Sequence, residues 1–241
     1  FVVGKSVQFM IPSNKSKEKQ YKVATKLLST DVSLPAPLYF YDAGAGGSLG
    51  AIVSNTTSSS SYNTPVIIDS VADTIDEDGE ECFMLKFVGG SSEYVDPDVQ
   101  YFQPGGSWAQ RVDYSNVTVK DLKRGDVIEY TTANEKINQL RVVVRVDDIG
   151  PIRINGDHIQ KSGNMIAEVI SVSDNGRTAW VRYANNGGLE VNQTMLVNGT
   201  TYRYDSGSGK VYNSSSADLR KGDKILINSF WWSPKLVVIF R

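Results

Sequence analysis

Cysteine and histidine are almost missing from this sequence: Cys82 and His158 stand alone among 241 residues. One cysteine makes no intrachain disulfide and no cysteine-based zinc cluster. One histidine makes no two-histidine metal site and leaves a single candidate for histidine-assisted hydrolysis. Both have ordinary explanations. Cys82 falls in the apolar run Cys82–Leu85, where a packed strand residue is expected rather than a nucleophile. His158 falls in the polar stretch Asn155–His158, which reads as an exposed turn. A charge excess is missing too. The 25 Lys plus Arg face 27 Asp plus Glu with no dominant block, so no phosphate-attracting field is built and nucleic acid is not an expected partner. No stretch approaches the roughly 20 apolar residues of a membrane span, so no membrane insertion is expected. Phe1–Ser6 has neither the charged region nor the apolar core of a signal peptide. No Gly-rich phosphate loop joins a strand to a helix, and no Gly-X-Ser-X-Gly elbow occurs. No metal, no cofactor and no catalytic group is therefore expected.

What the chain does have is period-two alternation in runs of β-branched and aromatic residues, bounded by Gly, Pro, Asn and Asp, without sustained helical periodicity. The expected class is all-β, as two to three small β-barrel or β-sandwich modules in tandem. Strands are expected at Val7–Ile11, Tyr21–Leu28, Leu38–Tyr41, Val66–Ala72, Cys82–Val88, Val127–Thr131, Ile137–Val146, Ile166–Val172, Ala179–Tyr183, Thr201–Tyr204, Lys224–Ile227 and Lys235–Phe240. Asp78-Gly79 and Asn175-Gly176 accept positive φ and mark hairpins. The Ser/Thr-rich tract Asn55–Tyr62 offers too little apolar surface to offset ordering entropy and reads as a linker. A second break falls near Asp147–Gly163. The expected units are a partial closing module at 1–55, one module at 64–148 and another at 163–241.

Asp121-Leu-Lys-Arg-Gly-Asp-Val-Ile128 recurs as Asp218-Leu-Arg-Lys-Gly-Asp-Lys-Ile225, each copy just ahead of a strand. In this octapeptide Leu122 and Leu219 are expected to plug a core while the basic pair stays in solvent. Gly125 and Gly222 allow the sharp turn, and Asp126 and Asp223 accept from nearby backbone N–H groups. Arg124-Gly125-Asp126 also spells an adhesion tripeptide, but the second copy reads Lys221-Gly222-Asp223, so turn geometry is the expected reason. A further echo relates Leu38–Gly44 to Thr201–Gly207.

The segments Thr64–Gly79 and Asp121–Tyr130, then Asn198–Tyr204, Ala217–Asp223 and Leu236–Arg241, with Phe9–Pro12 and Leu38–Asp42, resemble the repeated β-modules of Firmicutes (clostridial-type) cell-surface proteins that carry S-layer-homology anchoring domains. The resemblance covers most of the chain through loose β-module patterns. It implies an exported, repetitive surface protein. The abundance of Ser, Thr, Asn and Gly beside so little cysteine also suits an extracellular location.

Asp76-Glu-Asp-Gly-Glu-Glu81 alternates carboxylates in the manner of a calcium loop, but it lacks the twelve-residue spacing and terminal bidentate Glu, and a charged hairpin tip explains it. Six Asn-X-Ser/Thr triplets, at Asn14, Asn55, Asn116, Asn192, Asn198 and Asn213, arise readily in so polar a chain. Aromatics give the stronger binding signal. Trp231 and Trp232, between the last two expected strands, and Trp108, in a Gly-rich loop, are the candidates for an interface or a glycan contact. The expected function is non-catalytic: a structural or adhesive cell-surface protein whose modules form an array or spacer and associate with other copies, Phe1–Ile11 and 229–241 supplying the edges. A carbohydrate-binding module using those tryptophans on a cell-wall or surface glycan, and a viral or phage tail or capsid β-protein, are the alternatives.

Overall fold

The computed structural model describes residues 8–12, 21–23, 32–33, 38–41, 50–54, 58–59, 65–101, 116–149, 164–184, 190–228 and 234–241. The class is all-β: eighteen strands and three single-turn 3-10 segments account for the regular structure of these residues. The N-terminal strands are β1 (Gln8–Pro12), β2 (Tyr21–Val23), β3 (Val32–Ser33), β4 (Leu38–Tyr41), β5 (Ala51–Ser54) and β6 (Ser58–Ser59). Four of them form one sheet in the order β2-β1-β5-β4, with β1 and β5 parallel. The Ser-rich tract expected as a linker contributes β6, which pairs with β3 and meets the next sheet at Ala133.

Five strands follow: β7 (Val66–Ile75), β8 (Glu81–Phe87), β9 (Ser92–Tyr101), β10 (Val127–Ala133) and β11 (Lys136–Val144). They pair in the order β11-β9-β8-β7-β10, and β10 pairs back onto β11, so the sheet closes into a small barrel. Alternate residues fill it, among them Ile68, Leu85, Val95, Ile128, Ile137 and Leu140, all at most 1% exposed. The hairpin expected at Asp78-Gly79 is present with Gly79 at φ +82°. A second joins β10 to β11 through Asn134 and Glu135, both at positive φ, the backbone of a two-residue primed turn.

The remaining strands are β12 (Asn164–Val172), β13 (Thr178–Ala184), β14 (Glu190–Leu196), β15 (Thr200–Asp205), β16 (Lys210–Ser214), β17 (Lys224–Asn228) and β18 (Leu236–Phe240). Their order is β14-β13-β12-β17-β18-β15-β16, and they wrap Met165, Val169, Val181, Met195, Ile225 and Ile239 into a second core. The two units share part of their pairing: a Gly-turned hairpin opens each, and its first strand pairs with the strand after the octapeptide. They differ in closure, because β9 pairs parallel with β11 and closes the first barrel, whereas β15 adds to β18 and the second sheet stays a partly open barrel with β14 and β16 at its edges among the described residues.

Two expectations about edges are corrected. The strand at 8–12 is flanked on both sides, by β2 and β5. The C-terminal run is likewise interior: β18 lies between β15 and β17, and all five residues are buried. The reason is that β18 serves two cores. Ile239 points into its own barrel, whereas Leu236, Val238 and Phe240 belong to a third apolar cluster with Ile67, Val127, Val144 and Val146 of the first barrel and Ile166 and Leu226 of the second. A strand buried on both faces is apolar throughout. That third cluster joins the barrels, and both contribute corresponding strands to it: β7, β10 and β11 from one, β12, β17 and β18 from the other.

Candidate functional site

A 3-10 turn ends on the first residue of each octapeptide, and the carboxylate of that residue reaches back to its start. Asp121 accepts from the N–H and Oγ1 of Thr118 at 2.8 and 2.7 Å, and Asp218 accepts from the N–H of Ser215 and Oγ of Ser214 at 2.9 and 2.8 Å. These bonds hold both carboxyls below the usual range. Leu122 and Leu219 then insert into the two cores, 5% and 6% exposed, as expected. Gly125 and Gly222 turn the chain at φ +94° and +91°. Their N–H groups donate to Ile68 and Val169 at 2.9 and 2.8 Å, which pins each turn to the first strand of its barrel. Asp126 and Asp223 close the turns by accepting from the N–H of Lys123 (3.0 Å) and Arg220 (2.7 Å).

A pair of arginines completes the motif. Arg145, 24 residues after Asp121, donates to the Asp121 carbonyl at 3.0 Å and lies 3.8 Å from the Asp126 carboxylate. Arg241, 23 residues after Asp218, donates to the Asp218 carbonyl and grips Asp223 with Nε and Nη2 at 2.8 and 2.7 Å. The two clasps differ electrostatically. Burial raises the Asp126 carboxyl above its ordinary value despite N–H bonds from Val146 and Lys123 and the nearby Arg145. Asp126 is fully buried, so the adhesion tripeptide is not presented: its acid is spent inside the turn.

The junction between the barrels carries a polar network at one end and a close approach at the other. Asn164 of β12 donates to Glu129 of β10 at 3.1 Å and accepts from Asn228 of β17 at 2.9 Å, while Arg141 pairs with the other Glu129 oxygen. At the opposite end Gly125 lies against Tyr204, where a methyl group on Gly125 would come within 2.5 Å of the Tyr204 ring. Buried networks of this kind fix register as much as they add stability.

The acidic loop at 76–81 receives its cation from the chain itself. Asp76 accepts from the N–H groups of Asp78 and Glu80 at 2.8 and 3.0 Å and ion-pairs with Lys136, both side chains almost fully buried. Burial alone would raise the Asp76 carboxyl; Lys136 and the two N–H bonds more than offset it, and the value falls. An ammonium thus sits where a calcium-loop reading would put the metal. Nearby, a cleft of about 590 Å³ opens at the hairpin end of the first barrel, between Asp73, Ile75, Glu81, Phe83 and Lys120. The Lys120 ammonium stands 5.6 Å from the Phe83 ring centre. Cys82 borders this cleft, but burial, with Asp76 adding to it, pushes its thiol up, away from the thiolate a nucleophile needs.

No protein-family model matches the chain, and no curated protein matches it. Trp108, Trp231 and Trp232, the expected contact residues, lie outside the described residues, as does His158. Two features escaped the sequence reading. The arginine clasps were signalled by an Arg following an apolar strand at nearly the same distance from each octapeptide. Trp180 was signalled by alternation: Ala179, Val181 and Tyr183 face the core, which sends Trp180 to the opposite face, where it is 44% exposed.

Proposed function

We propose that this chain is a non-catalytic structural protein of a bacterial cell surface, in which tandem β-modules act as a stiff spacer and associate with further copies. The observation that carries this reading is the shared apolar cluster between the barrels, in which Val127, Val144 and Ile67 meet Leu226, Val238 and Phe240. Modules joined by a flexible linker would leave such faces to solvent. Here they are buried on each other, which couples the two modules through one shared core. Because corresponding faces are used up, contacts to other copies fall elsewhere. The N-terminal sheet supports such contacts. Its strand β4 pairs only with β5 among the described residues and exposes Tyr39, Phe40 and Tyr41 at 46%, 46% and 54%. The resemblance to modules of anchored surface proteins supports the location.

Sedimentation velocity and negative-stain imaging of the full chain test the role. Multimers of regular spacing, weakened by combined Tyr39→Ser, Phe40→Ser and Tyr41→Ser, are expected. A strictly monomeric chain with a measurable catalytic turnover would overturn it.

A further inference from the structure

The outer face of β12, β13 and β14 carries a second set of groups that neither the barrel cores nor the junction uses. In register, Ser171, Trp180 and Thr194 form one cross-strand row. The next row runs Lys224, Glu168, Arg182 and Asn192. Two residues along a strand separate the rows by about 7 Å. Trp180 is flanked across the strands by small hydroxyl side chains and is 44% exposed. The polar row is held in place before any ligand arrives. Glu168 accepts from Lys224 at 2.7 Å and from Arg182 at 2.9 Å, and those bonds keep its carboxyl below the usual range. Asn192 is tied to Glu190 at 3.2 Å.

A half-exposed indole beside a fixed line of donors and acceptors is the chemistry that recognises a sugar ring: the ring's C–H face stacks on the aromatic while its hydroxyls bond to planar polar side chains. Charge decides which kind of sugar. Lys224 and Arg182 are balanced by Glu168 and Glu190, so the patch holds no net attraction for a polyanion. We infer that the face around Trp180 is a binding site for a neutral polysaccharide, with Trp180 as the stacking platform and Arg182, Asn192 and Thr194 as hydroxyl contacts. This site is independent of the spacer role, which its failure would leave untouched.

Affinity electrophoresis of the full chain through gels containing xylan, mannan or β-1,3-glucan, with polygalacturonate as the anionic counterpart, tests the inference. Retardation by at least one neutral polymer is expected. It should weaken at least tenfold in Trp180→Ala, survive in part in Trp180→Phe, and fall in Asn192→Ala, with melting temperatures unchanged because both positions are exposed. No retardation by any neutral polymer, equal retardation of Trp180→Ala, or retardation by polygalacturonate alone would overturn it. Loss of self-association rather than of polysaccharide binding in Trp180→Ala would also overturn it and make this face a contact between copies.

Discussion

Gly125 and Gly222 occupy the same position in the two octapeptides and share nearly the same backbone, φ +94° and +91°. They differ in what lies next to them. Around Gly222 an added Cβ would meet nothing within 4 Å, whereas at Gly125 it would come within 2.5 and 2.6 Å of the Tyr204 ring and 2.7 Å of Val146 Cγ1. Gly222→Ala therefore reports backbone strain alone, about 1–2 kcal/mol for an L residue held at positive φ. Gly125→Ala adds overpacking of about 1–3 kcal/mol, for a combined loss of roughly 2–5 kcal/mol. Urea titration resolves the two, since a 3 kcal/mol loss moves the midpoint by about 1 M or more at slopes of about 1–3 kcal/mol per molar. In a Tyr204→Ala background the ring is gone, and the cost of Gly125→Ala should fall toward that of Gly222→Ala. Equal midpoint shifts for the two glycine variants with Tyr204 in place, or a Gly125→Ala shift that Tyr204→Ala leaves unchanged, would refute the packing of one barrel on the other.

Leu122→Ala and Leu219→Ala should each cost about 2–5 kcal/mol in the same titration, because both side chains plug a core, while Lys123→Ala should cost far less. Lys136→Met should lose about 3–5 kcal/mol by leaving the buried Asp76 carboxylate uncompensated, and EDTA should leave the melting temperature unchanged, because Lys136 holds the cation position. Two asparagine variants should respond to acid with opposite sign. Asp76 has a lowered folded pKa, so its contribution is present above about pH 3.8 and is lost as pH falls through the folded value; the penalty of Asp76→Asn shrinks on acidification. Asp126 has a raised folded pKa, so the wild type gains stability as pH falls through that value toward 3.8; the penalty of Asp126→Asn is smaller at pH 7 than below pH 4. Unfolding curves at the two pH values check both signs. Glu135→Gly should raise the melting temperature by relieving a side chain held at φ +66°.

The strands most open to reading were those whose alternation feeds a core: β4 begins and ends where expected, and β7, β8, β10 to β13, β15, β17 and β18 lie within a few residues of expectation. Strands β3, β5, β6, β9, β14 and β16 were not anticipated. Pro97 argues against a strand, yet it sits where the register with β11 breaks between Val95 and Gln100, beyond the last residue paired with β8. A proline there removes no ladder bond. Strands β14 and β16 are polar edges that turn only Val191, Met195 and Val211 to a core, too few to stand out as an apolar rhythm. The turn chemistry of the octapeptide was legible because it is local. The arginine clasps, the Lys136 to Asp76 pair and the junction were not, since each depends on a bond between residues 18 or more apart in the chain through register that no short window contains.

The claim on which the account turns is that the barrels behave as one body. Hydrogen exchange of Leu226→Ala reads it most directly, because Leu226 is 1% exposed and its side chain lies in the cluster between the barrels. Protection should fall by the same factor in peptides covering β10 and β11 as in those covering β17 and β18, since a cooperative unit opens with a single free energy. Loss of protection confined to 164–241, with 65–149 unchanged, would show two barrels that merely touch and would contradict the account.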